Sequence, residues 1–257
     1  MPENTSGHDW KPGIRMLDYP KAKLRMDITT EMEGKYRISA CEKEPWTVEF
    51  IEKQPPNTWF IDIGANVGAY TLVAIAHGLR VVSIEPHIHT AERLAHNLEL
   101  NDLADKAIIM VMGLSDQTGF DFFSMADLRP GYNDHVFGKH KNELAKRPNI
   151  FHTHIVPTMR LDDFIPLLTP NDVPIAMKLD VDGVEDRVLN GAINSLRNSA
   201  LRAMMLELDK KHADSVLKVM GDLGWHEVRR IDETTPLANN HYGRERFGKM
   251  FYIEMEK

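Results

Sequence analysis

The chain has one cysteine, Cys41, in 257 residues. A lone thiol excludes an internal disulfide framework and makes a reducing compartment the simplest setting, and Cys41 itself reads as a partly buried strand residue. No run approaches the ~18 apolar residues of a membrane span. The N-terminal MPENTSGHDWKPG has neither the basic region nor the apolar core of a signal peptide, so a cytoplasmic location is expected. No block of like charge stands out and the net charge is −7, which makes nucleic acid an unexpected partner. Internal repeats and low-complexity segments are also absent, and no feature specifies an oligomeric state. With 42% hydrophobic residues the composition is that of a globular protein, and the length suits one large α/β domain with a short extension.

What is present centres on Thr58 to Thr71, TWFIDIGANVGAYT. An apolar run broken only by Asp62 meets Gly64 and Gly68 and then a helical pattern, which reads as strand, glycine turn, helix. A dinucleotide site wants G-x-G-x-x-G, with pyrophosphate against the backbone at a helix N-terminus. Here the spacing is Asp62-x-Gly64-x-x-x-Gly68, the third glycine is missing, and no Lys or Arg stands beside the acid. Charge complementarity therefore favours a cofactor carrying an ammonium and a sulfonium, S-adenosylmethionine, over one carrying two phosphates. The turn residues Gly64, Ala65, Asn66 and Gly68 would cradle it. Glu85, at the end of the second strand LRVVSIEP, is placed to accept from ribose hydroxyls. Ser115 and Asp116, ending a third strand AIIMVMGLSD, would lie near the adenine.

In chain order, residues 1–20 look like a flexible arm, and LRMDITT and KYRISACE flank Glu33-Gly34 as a short hairpin, giving an N-terminal extension over residues 1–44. Pro45 to Lys53 forms a helix with Trp46, Phe50 and Ile51 inward, and a single domain runs over 45–257. Helices follow the first two strands, at Tyr70 to His77 and His89 to Asn101. GFDFFSM and NIFHTHIVPTMRLDDF read as strands or extended segments around a polar, lid-like insertion, residues 126–148. VPIAMKLDVDG, a helix from Val184 to Arg197, LRAMMLELD, a helix from Lys211 to Leu223, WHEVRRI and KMFYIEM complete the pattern, the last two joined by a polar loop with Arg244 and Arg246. The expected fold is α/β, a doubly wound, mostly parallel sheet of seven strands with an antiparallel edge hairpin.

Alternation puts Lys178, Asp180 and Asp182 on one side of a strand covered on both faces, where ionisable groups need partners or a task. Asp180 falls at the binding edge, Lys178 neutralises carboxylates with Glu207 as a possible partner, and Asp182 with Glu185 resembles a capping box.

FIDIGANVGAYT, VVSIEPH, GLSD, the M-R-LDDF segment, MKLDVDGVEDRVLNGA and MLELD, in that order, resemble the FkbM family of S-adenosylmethionine-dependent methyltransferases over residues 45–255. Where that family commonly has V-E-G-A-E, this chain has Val181-Asp182-Gly183-Val184-Glu185. The resemblance implies a class I, Rossmann-like methyltransferase fold and methyl transfer to a hydroxyl oxygen of a sugar, polyketide or similar small molecule. It implies Asp62, Gly64, Asn66 and Gly68 at the methionine end, Glu85 at the ribose and Asp180 beside the reacting centre. Proton removal from the acceptor falls to Asp180 or to a histidine of the insertion, His135, with His152 and His154 as lesser candidates. A metal-dependent variant through Asp180 with Glu207 or Asp209 ranks lower because no third ligand is evident. The alternatives are a nicotinamide-dependent oxidoreductase and a non-catalytic module.

Overall fold

The computed structural model describes residues 11–133, 135–144, 149–168, 173–181, 183–198, 200–232, 234–235, 247 and 249–257. Asp134, Asp182, Arg244 and Arg246 lie outside the described residues. Strands β1 (Gly13–Met16) and β2 (Arg25–Ile28) pair antiparallel, so the first hairpin precedes the expected one. The segment expected as its second strand is helical instead: one wide turn, Glu33–Arg37, then α1 (Ala40–Lys43), which holds Cys41 buried. The cause is a reciprocal cap. Glu33 N–H donates to Thr30 Oγ1 at 3.2 Å while Glu33 Oε2 accepts from Thr30 N–H at 2.9 Å, satisfying two donors that a helix start leaves open.

Pro45 opens α2 (Pro45–Lys53), and Trp46, Phe50 and Ile51 are buried. The alternation continues with β3 (Trp59–Ile63), α3 (Ala69–Ala76), β4 (Arg80–Ile84), α4 (Ile88–Glu99) and β5 (Ala107–Met110). The third strand does not run on to Asp116. The chain turns tightly at Val111 and Met112, and β6 (Gly113–Leu114) enters a second sheet with β7 (Gly119–Met125), β8 (Val136–Phe137) and β9 (His152–Met159), in the order β6-β9-β7-β8. A side chain at Gly113 would fall 2.3 Å from the Phe137 ring, so only glycine lets the backbone pass there.

After β9 the LDDF segment is not extended but opens α5 (Leu161–Leu168). Then come β10 (Ile175–Leu179), α6 (Glu185–Asn190), α7 (Ile193–Arg197), β11 (Leu201–Asp209), α8 (Lys210–Asp222), β12 (His226–Ile231) and β13 (Met250–Glu256). The single helix expected over 184–197 is broken where Gly191 passes the Ser115 carbonyl, leaving 2.1 Å to a Cβ built there. The main sheet has the order β12-β13-β11-β10-β3-β4-β5. Five strands from β11 to β5 are parallel, and β13 runs antiparallel to both neighbours. The final hairpin therefore wedges β13 between β11 and β12, so that the edge strand β12 is parallel to the five. Alternation along β3 sends Phe60 into one core, with Phe50, Val73 and Leu94, and Ile61 and Ile63 into the other, with Leu161, Leu206 and Trp225. Among the described residues no helix is long and apolar enough to cross a membrane.

Asp162 of α5 caps α7 from outside: Oδ1 accepts from Ser195 N–H at 2.7 Å and Oδ2 from Asn194 N–H at 3.1 Å. Asp162→Ala is expected to lower unfolding free energy by about 1 kcal/mol in urea titration, the ordinary cost of a lost N-terminal cap.

Candidate functional site

Parallel strands end at a common edge, and β10, β3 and β4 deliver Asp180, the turn 64–68 and Glu85 there. Gly64, at φ +78°, has the Asp180 carbonyl oxygen 1.9 Å from where a Cβ would stand, so two strand ends can close together only at a glycine. Asn66 adopts a left-handed φ of +49°. Its N–H then donates to Glu85 Oε2 at 3.0 Å, while His87 N–H donates to Glu85 Oε1 at 2.8 Å. The Glu85 carboxylate is thus buried, held by two backbone donors, and part of a cleft wall.

The cleft is open on one side and has a cavity volume of about 120 Å³. Its floor is Ile63, Gly64, Asn66, Ile84, Glu85 and Asp180, and its apolar flank is Met112 and Leu114. The insertion supplies a roof of Tyr132, Asn133, His135 and Phe137. Three bonds anchor that roof: Asn66 Nδ2 to the Tyr132 carbonyl (3.3 Å), Arg37 Nε to that of Gly131 (2.9 Å), and Thr30 Oγ1 to that of Pro130 (3.1 Å). His135 is buried, stacked on His87 with ring centroids 5.1 Å apart and edge-on to Phe123 at 5.2 Å. His87 Nδ1 accepts from Thr90 N–H (3.2 Å) and its Nε2 lies 3.2 Å from the Asp127 carbonyl, an arrangement for neutral imidazole. Burial pushes its pKa down, in agreement.

Behind the floor lies a row of buried polar groups. Register pairs Lys178 with Asp62 and Asp62 with Ser83 across β10, β3 and β4, placing all three on one face of the sheet. Lys178 Nζ is 2.9 Å from Asp180 Oδ2 and 5.3 Å from the Tyr70 ring centroid. Tyr70 O–H donates to Glu44 Oε2 at 2.9 Å. Asp62 Oδ2 accepts from Thr71 Oγ1 at 2.8 Å, while its Oδ1 has no hydrogen-bond partner among the described residues. Burial raises the Asp62 pKa, and Lys178 and Thr71 only partly offset that. For Lys178 burial acts to lower the pKa, but the carboxylates of Asp180, Asp62 and Glu44 outweigh it and the net direction is up.

Of the residues singled out in the sequence, the cleft brings together Gly64, Asn66, Glu85, Asp180 and His135. Ala65 and Gly68 shape the turn without lining it: Ala65 N–H donates to the Ile84 carbonyl, and Gly68 gives way to Leu94 of α4. Asp62 and Lys178 are buried behind the wall rather than on it, and Lys178 pairs with Asp180. Ser115 and Asp116 stand off the cleft, held instead by Arg187, whose Nη2 lies 2.8 Å from Ser115 Oγ and 3.2 Å from Asp116 Oδ1. His152 and His154, on β9 opposite Met125 and Phe123, do not line it either. Among the described residues no three of His, Cys, Asp or Glu stand together as metal ligands would. The sequence reading missed Arg37, His87 and Phe137; the capping box at Thr30 and Glu33 was the available signal for a helical turn carrying Arg37.

The family model described as the methyltransferase FkbM domain matches residues 62–232. No curated protein gave a significant match. Among solved structures the chain is similar to the METTL16 methyltransferase domain: identity is 15%, coverage 91% of this chain and 73% of that one, and the TM-score 0.53.

 The magnesium protoporphyrin IX methyltransferase from Synechocystis PCC 6803, solved with bound SAM, is 14% identical, with 90% of this chain and 86% of that one covered and a TM-score of 0.50. At these identities the likeness speaks for the fold alone, a class I, Rossmann-like methyltransferase fold.

Lys178→Met is expected to destabilise the protein by about 3–5 kcal/mol at pH 7, because it leaves buried Asp62 facing an apolar chain. Asp62→Asn in that background should recover part of the loss in urea titrations, and no recovery would show the two groups uncoupled. The folded-state pKa of Lys178 lies above its ordinary 10.5, so its contribution is complete below pH 10.5 and is lost as pH rises through the raised value.

Proposed function

The chain belongs to the FkbM family of S-adenosylmethionine-dependent methyltransferases, and we propose that it methylates a hydroxyl oxygen of a small molecule, a sugar or secondary metabolite. The observation that carries this reading is Asp180, a carboxylate on the cleft floor with a buried ammonium 2.9 Å behind it. A hydroxyl becomes a competent nucleophile only when an oriented base takes its proton, and Asp180 is placed to do so.

The cleft suits the cofactor by its chemistry. Glu85 offers two acceptor oxygens for ribose hydroxyls, already fixed by Asn66 and His87. Met112, Leu114 and Phe137 form an apolar wall for a flat base. The acids Glu85 and Asp180 favour a cationic ligand over a diphosphate. When bound, S-adenosylmethionine supplies a methyl carbon activated by a sulfonium. The chain's own part is alignment and proton removal. Asp180 accepts the hydroxyl proton, Lys178 holds the Asp180 carboxylate from behind, and Tyr70 and Glu44 hold Lys178 in its buried position. The roof keeps water from the reacting groups, and His135 presents its ring to the acceptor side. A cleft closed by a roof, on a chain of net charge −7, suits a small acceptor better than a polyanion.

Asp180→Asn is expected to leave cofactor affinity within a few-fold while lowering kcat by about 10²–10⁴. Glu85→Ala should instead weaken binding in calorimetry by roughly tenfold to a hundredfold. Acceptors are identified by offering sugars, glycolipid precursors and secondary metabolites with labelled S-adenosylmethionine; label appearing in protein or nucleic acid would overturn the small-molecule assignment.

A further inference from the structure

We propose that Arg37 binds the α-carboxylate of S-adenosylmethionine, which makes the wide helical turn Glu33–Arg37 part of the cofactor site. The cofactor carries two cationic groups and a single anionic one. The charged groups of the cleft floor, Glu85 and Asp180, are both acidic and would repel that anion. Arg37 is the one permanently charged cation among the described residues that line the cleft, since Lys178 lies behind Asp180 and is committed to it.

The guanidinium is fixed in place but not used up. Its Nε donates to the Gly131 carbonyl at 2.9 Å, and its Nη nitrogens have no hydrogen-bond partner among the described residues. The outer edge of the fork, the part that matches a carboxylate in two parallel bonds, therefore remains available. Arg37 is also tied to the rest of the site. Gly131 precedes Tyr132, whose carbonyl accepts from Asn66 Nδ2, and the Asn66 backbone holds Glu85. One hydrogen-bonded run thus leads from the acid proposed for the ribose, past the glycine turn, to Arg37. The turn that carries Arg37 is pinned at its start by Glu33, which accepts from Thr29 and Thr30 and lies 3.4 Å from Arg93 Nε.

The competing occupant of the same guanidinium is an anionic group on the acceptor. Calorimetry on the full chain separates the two, using S-adenosylmethionine and its decarboxylated analogue on the wild type, Arg37→Gln and Arg37→Lys. The expected result is that Arg37→Gln weakens S-adenosylmethionine by about tenfold to a hundredfold, leaves the decarboxylated analogue unchanged, and that Arg37→Lys recovers part of the loss. Equal weakening of both ligands would overturn the proposal in favour of a purely structural bond to Gly131. Unchanged binding of both, with a raised KM for the acceptor, would overturn it in favour of an acceptor anion. The proposal rests on the cofactor and not on the acceptor class. Failure of the wild type to bind either ligand would therefore remove the cofactor site itself, a result distinct from a failure at Arg37.

Discussion

A buried ammonium in the middle of a parallel sheet constrains much of this structure. Lys178 has nearly no contact with solvent, and a charge so placed survives only with counter-charges close by. Its own strand supplies Asp180, the neighbouring strand supplies Asp62 in register, and the N-terminal helices supply Glu44 through Tyr70. Each of these partners thereby has its position set. Asp180 is held at the cleft floor, β3 cannot slip by a residue against β10 without parting Asp62 from Lys178, and α1 and α2 are drawn onto α3.

The same arrangement explains why the N-terminal segment packs as part of the site wall. The Tyr70 hydroxyl lies 3.0 Å from the Ala40 carbonyl oxygen as well as 2.9 Å from Glu44 Oε2, so the cluster behind the floor fixes the end of the segment that begins at Thr30. Its beginning is fixed by Glu33, against which Gly131 of the roof passes so closely that a Cβ there would lie 2.7 Å from Glu33 Cγ. Between these two fixed ends Arg37 reaches the cleft. Roof, floor and N-terminal turn are therefore one hydrogen-bonded assembly, and a change in any of the three is felt at the others.

The second sheet has a different logic. Once β5 ends at Met110, the chain leaves the plane of the main sheet and β6 pairs with β9, which turns the strand end away from the cleft. Arg187 of α6 then fastens Ser115, Asp116 and Asp121 together, joining the second sheet to the helix that follows β10. The cleft flank is left to Met112 and Leu114, apolar side chains that can cover a flat ring.

The sequence by itself determined the alternating strands and helices, the glycine turn after β3, the acid ending β4 and the charged end of β10. These are local signals: hydrophobic period, glycine spacing and carboxylates at strand ends are all properties of short stretches. It also carries the capping box at Thr30 and Glu33, which makes KYRISACE helical against its strand-like alternation. What only the tertiary structure decided is which groups meet. Asp62 became a buried partner of Lys178 and not part of the wall because register across β3 and β10 aligns them, and register is a relation between strands far apart in sequence. Ser115 and Asp116 left the cleft because a two-residue strand found its pairing in another sheet. Gly64 is required by the Asp180 carbonyl, more than a hundred residues away, a steric demand that no spacing within TWFIDIGANVGAYT expresses.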